Sequence, residues 1–295
     1  MVRALPRNIQ FKLEQTLSQW PHWQCAPALT RAPNVVRTLT PGFSNFSVLV
    51  ECGRHFVVRI DGLDPASNGL NRRAEWRTIE AAHKAGLAPH PRYFNPEVGS
   101  LVCDYLEPVE IDNGEITAVG KLLHAIHQLP ARHHRLDLNE SILRYERQVA
   151  QKGPPLNAAL RASGNEVLKL LTQIKQQPFN AVLCHNDLLR ANRIYSAGKL
   201  WALDWEYCAM GNPWYDIAVI VNGDLLTKSD TDTLLKAYLG RSPSTQERRL
   251  LYQYSCIYRY LELLWYLALK TPALDMQSIE EKSVALTGML SQGSI

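Results

Sequence analysis

The stretch AVLCHNDLLRANRIYSAGKLWALDWEYCAMGNPWYDIA, residues 181–218, decides the fold. It opens on a short apolar run, Ala181 to Cys184, that reads as a buried strand ending in the polar cluster His185-Asn186-Asp187. Five residues after Asp187 stands Asn192. A second short strand, Leu200 to Leu203, then delivers Asp204-Trp205-Glu206. Carboxylates and a carboxamide thus hang from strand ends and the loop between them, where chemistry is commonly placed.

The spacing from Asp187 to Asn192 matches the kinase catalytic loop, His-x-Asp-x-x-x-x-Asn, followed by a downstream metal-binding Asp. Phosphoryl transfer gathers negative charge on ATP, which a divalent metal neutralises. Magnesium takes hard oxygen ligands, which Asn192 and Asp204 can supply. The attacking hydroxyl needs an acceptor for its proton, and Asp187 is the candidate. Asp187 and Asn192 alone would suit a turn cap; the flanking strands and the later acid favour the kinase reading.

Leu203-Asp204-Trp205-Glu206-Tyr207, Gly211-Asn212-Pro213 and Asp216-Ile217-Ala218 carry the resemblance further. The chain resembles the aminoglycoside phosphotransferase and choline kinase superfamily, closest to its choline, ethanolamine and thiamine kinase branch. The resemblance implies an α+β chain with a protein-kinase-like two-lobed fold. A small N-terminal antiparallel β-sheet lobe would span residues 1–106. A mainly helical C-terminal lobe would span 107–295 and carry catalysis and acceptor binding, with ATP and magnesium in the cleft.

Composition is that expected of an ordinary soluble globular protein. The 295 residues are 46% hydrophobic and 20% charged, enough for a sizeable core. A net charge of +4 is too mild to argue for a nucleic-acid surface. No apolar run reaches the ~20 residues that span a bilayer. The six cysteines are scattered without a C-x-x-C pair, as expected of reduced thiols in a cytoplasmic protein.

In chain order, residues 34–60 read as three short strands, with Thr40 to Asn45 as the loop expected to cover ATP phosphates through Gly42, Ser44 and Asn45. Arg59 stands where protein kinases carry Lys. It would grip phosphate, held by Glu75 from a helix spanning Asn71 to Ala85. A hairpin then leads into Asp104, Tyr105 and Leu106, the expected hinge for the adenine edge. His185 and Asp216 are expected to support the catalytic loop. Glu206 would orient metal-bound water or balance a cationic acceptor.

The chain reads as helical after Asp216, and Gln246 to Lys270 is rich in aromatics. Most of these suit a core. The resemblance makes Trp265, with Tyr258 and Glu262, candidates for boxing a cationic acceptor. The implied acceptor is the primary hydroxyl of a choline-like amino alcohol. Thiamine, or an aminoglycoside or sugar, stays open beside it. A non-catalytic nucleotide-binding module is the rival from another class.

Overall fold

The computed structural model describes residues 5–39, 45–110, 114–152, 158–269 and 276–292. In chain order the elements are α1 (Arg7–Ser18), β1 (Asn34–Thr38), β2 (Asn45–Glu51), β3 (His55–Asp61), α2 (Arg72–Lys84), β4 (Pro91–Asn95) and β5 (Ser100–Asp104). Then come α3 (Glu115–His127), α4 (Leu138–Lys152), α5 (Ala158–Lys175), β6 (Val182–Cys184), β7 (Arg193–Ser196), β8 (Lys199–Ala202) and β9 (Ala209–Gly211). Four helices follow: α6 (Pro213–Gly223), α7 (Lys228–Leu239), α8 (Thr245–Leu269) and α9 (Met276–Gln292). The chain divides into two compact units, Met1–Asn113 with Ala191–Cys208, and Gly114–Arg190 with Ala209–Ile295.

The first unit is built on an antiparallel five-stranded sheet in the order β1-β2-β3-β5-β4. Alternation along β2 and β3 sends Val48, Val50, Phe56, Val58 and Ile60 into one core with Ile9 and Leu13 of α1 and Trp23. Each such side chain contributes roughly 1.5–3 kcal/mol by leaving water. The same alternation turns Arg59 and Asp61 to the other face of β3. Asn71 caps α2, its side chain accepting from Ala74 N at 3.0 Å, so Arg72 and Glu75 fall in the first turn.

Two strands go beyond the sequence expectation. β7 pairs with β8 across Ala197-Gly198, both at positive φ, the two-residue hairpin turn that a right-handed strand twist favours. β9 pairs with β6 in a three-residue ladder, in the second unit. Among the described residues, the longer elements of that unit are α-helices. Asn212 caps α6 by accepting from Trp214 N at 3.0 Å, with Pro213 as first helical residue, which accounts for the Gly-Asn-Pro sequence. On α8, Ile257, Tyr260, Leu261, Leu263 and Leu264 are buried, as expected for a core stripe. No helix of the described residues is long and apolar enough to cross a membrane.

Candidate active site

In the first unit, β3, α2 and the turn after β8 bring their charged residues together. Arg59 meets Glu75 in a bidentate pair, at 2.5 and 2.8 Å, and its Nη1 also reaches Asp204 Oδ1 at 2.6 Å. Arg72 donates to Glu75 at 2.8 Å, to Glu206 at 2.9 Å and through two nitrogens to Asp61 at 2.6 and 3.1 Å. Asn45 completes the cluster by donating to Glu206 Oε2 at 2.8 Å. The local sequence explains the convergence. Arg72 and Glu75 share a helix face at i, i+3, while Asp204 and Glu206 flank Trp205, whose buried ring anchors the turn. Asp204 sits at φ 54°, a left-handed conformation that costs a non-glycine residue about 1 kcal/mol.

The charges do not balance. Two guanidinium groups face four carboxylates: Asp61, Glu75, Asp204 and Glu206. Burial and the nearby Glu206 push the Asp204 carboxyl up to about 7, against the pull of Arg59. Glu75 goes the other way: burial opposes its charge, but Arg59 and Arg72 hold its carboxyl below the usual range. Burial also opposes the charge on Arg59, and Glu75 and Asp204 overcome it, raising its pKa further. With all four carboxylates ionised the surplus is two negative charges, which a divalent cation would cancel. Asn192 lies beside Asp204 along the backbone, since Leu203 N donates to Asn192 O at 2.8 Å. Carboxylate and carboxamide oxygens are the hard donors magnesium takes, so these residues fit it.

In the second unit, Asp216 braces the loop that carries Asp187. Its carboxylate, fully buried in the first turn of α6, accepts from His185 N at 2.7 Å and Asn186 N at 2.8 Å. His127 Nε2, 3.0 Å from Asp216 Oδ2, supports it from α3, with Tyr238 Oη 2.8 Å from the other ring nitrogen. Asn186 is held at φ 63°. A loop residue in this conformation persists only where its surroundings impose it, and the two bonds from Asp216 do so. Cys184 lies close to this pair, but burial and then Asp216 keep its thiol protonated.

The acceptor candidates gather on α8 in the same unit. Tyr258, Glu262, Trp265 and Tyr266 are half-buried, set apart from the fully buried stripe. Burial drives the Tyr258 hydroxyl pKa far up, with Glu262, Tyr215, Asp187 and Tyr266 adding to it, so the hydroxyl is a neutral donor. Its oxygen lies beside Gly223, the last residue of α6. A Cβ on Gly223 would fall 2.9 Å from Tyr258 Oη and collide with the side chain of Leu189, two residues after Asp187. Trp265 meets Tyr266 edge-on at 5.0 Å between ring centres.

Other candidates sit differently from expectation. Glu206 accepts from Arg72 and Asn45 in the first unit, while Glu262 lies on α8 in the second. Asn45 is part of β2, with its carboxamide in the acid cluster, rather than in a loop. Asp104 is clamped by Arg92 at 2.5 and 2.7 Å. Its backbone N–H donates to His90 O at 2.9 Å, and that of Tyr105 to His55 O at 3.2 Å. Gly42 and Ser44 lie outside the described residues. Arg72 and Asp61 were missed. The signals were present in Arg72-x-x-Glu75 and in Arg59-Ile60-Asp61, but both patterns are common on exposed helices and strands.

The profile of the phosphotransferase enzyme family matches residues 35–251. The chain belongs to that family. Protein LicA of Haemophilus influenzae is 32% identical to this phosphotransferase over 236 residues, covering 76% of this chain and 88% of LicA. A thiamine kinase of Shigella boydii is 28% identical over 189 residues, 63% of this chain and 65% of its own. Among solved structures, choline kinase LicA from Streptococcus pneumoniae superposes with a TM-score of 0.74 at 22% identity, over 88% of this chain and 95% of that one. A LicA in complex with AMP gives 0.78 at 20% identity, over 98% and 100%. These structures establish a protein-kinase-like choline kinase fold for the phosphotransferase.

Proposed function

We propose that this phosphotransferase is an ATP- and magnesium-dependent kinase that moves the γ-phosphoryl group to the primary hydroxyl of a choline-like amino alcohol. The observation that carries the reading is the half-buried stripe of Tyr258, Glu262, Trp265 and Tyr266, in the unit that holds Asp187. Aromatic faces and one acid attract a fixed positive charge, while a neutral tyrosine hydroxyl can orient the alcohol.

Asp187 takes the hydroxyl proton as the new oxygen–phosphorus bond forms and the bond to the β-phosphate oxygen breaks. ADP leaves with that electron pair. Asp216 holds the loop backbone so that Asp187 meets the alcohol without first paying to order the loop. Arg59, fixed in plane by Glu75, offers a planar fork to phosphate oxygens. Asn192 and Asp204 would hold magnesium, with Glu206 beside them. Bound there, the ion supplies charge neutralisation for the transferring phosphoryl group. The hinge around Leu106 would take the adenine edge. A cytoplasmic setting follows from the need for ATP.

Thiamine is the second reading, favoured by the thiamine kinase relative. It too joins a hydroxyl to a permanently charged nitrogen. Turnover of ATP with choline, ethanolamine, thiamine and kanamycin, each with and without magnesium, tests the reading. One amino alcohol should dominate. Preference for kanamycin would overturn the acceptor class, and nucleotide binding without turnover on any acceptor would favour the non-catalytic module.

A further inference from the structure

The stripe on α8 already holds a cation. Tyr258, Glu262 and Tyr266 follow each other at i, i+4 steps, about 6 Å apart along the helix. The Tyr258 end reaches Leu189 of the catalytic loop over Gly223. At the other end, α9 brings Lys282 Nζ to 2.9 Å from Glu262 Oε2 and 5.8 Å from the centre of the Tyr266 ring. α9 is fastened there, since Tyr252 Oη donates to Met289 O at 2.6 Å and the Ser163 and Thr287 hydroxyls meet at 3.3 Å. An ammonium paired with a carboxylate over an aromatic face has the two partners that a charged nitrogen on an acceptor would use.

We propose that Lys282 is an internal stand-in for the acceptor's cation, displaced from Glu262 and Tyr266 when a charged acceptor binds. The proposal rests on the cationic-acceptor reading above and adds a specificity-setting residue to it. Displacement is cheap to arrange. The Lys282 side chain is 34% exposed against 17% for Glu262, so its flexible stem can swing to water while the acid stays in place. Lys282 would therefore weaken every cationic acceptor by the same pair energy and leave uncharged ones untouched.

Calorimetric titration of tetramethylammonium into wild type, Lys282→Gln and Lys282→Arg tests this without needing turnover. Gln keeps a straight-chain helix former on α9, and a coincident melting curve would verify the fold. The Kd should fall in Lys282→Gln by roughly one-and-a-half- to fivefold, the worth of a half-open ion pair, and stay near wild type in Lys282→Arg. The uncharged analogue of choline with carbon in place of nitrogen should bind Lys282→Gln and wild type alike. An unchanged or higher Kd for tetramethylammonium in Lys282→Gln overturns the proposal but spares the cationic reading. So does an equal gain for the neutral analogue, which would make Lys282 a space-filler. Failure of all three proteins to bind tetramethylammonium overturns the proposal and the cationic reading together.

Discussion

Replacing Asp187 by Asn keeps the size of the side chain and removes the proton acceptor. Turnover should fall by about 10²–10⁴-fold while magnesium-dependent nucleotide affinity survives; equal loss of both would point to a collapsed loop instead. Asp204 makes a pH prediction. Its carboxyl titrates near 7 in the metal-free fold, above the ordinary range, so the folded state holds a proton that the unfolded chain has released. Stability of the metal-free protein should therefore decline as pH rises from the ordinary carboxylate range through about 7. Magnesium competes with the same proton, so its apparent affinity should climb over that window and flatten above it. Melting curves across pH, with and without magnesium, read both trends. A magnesium affinity that stays flat between mild acid and neutrality would remove Asp204 from the ligand set.

At the scale of elements, the acid cluster ties β3 to α2 and to the turn after β8, with Arg72 as the knot. Arg72→Leu strips Asp61 of its buried cation, leaves Glu75 to Arg59 and Glu206 to Asn45, and should cost about 3–5 kcal/mol in denaturant unfolding. A loss under 1 kcal/mol would mean that water replaces the guanidinium. The elements that position the cluster were largely legible: hydrophobic alternation marks β2 and β3, and Asn71 with Gly86 brackets α2. Arg72 was not legible as a site residue because a helical Arg is exposed by default, and only burial reveals what it joins. β7 and β9 were hidden for a different reason. Each is three or four residues long, so its strand character comes from its partner across the ladder rather than from its own pattern. On α8, sequence spacing could not separate the core from the half-exposed face. Burial does, setting Tyr254 and Tyr260 inside and leaving Tyr258, Trp265 and Tyr266 half-open.

For the molecule as a whole, ligands that bind only the folded state add stability by mass action. ATP with magnesium at about a hundred times its Kd should stabilise wild type by roughly 2.7 kcal/mol. Arg59→Ala should lose most of that gain, and scanning calorimetry at fixed nucleotide would show it. A full shift retained in that variant would take Arg59 out of nucleotide binding. The β6–β9 ladder has a last consequence. It stands at the neck of a chain excursion in which residues 191–208 leave the second unit, join the first and return. Arg59 and Asp204 therefore meet inside one unit although 145 positions separate them along the chain. A chimera joined after Asn113 would inherit those partners from different parents. Recombination between diverged relatives should succeed only where both halves of that acid cluster travel together, so the gene is indivisible at the boundary that looks most natural for cutting it.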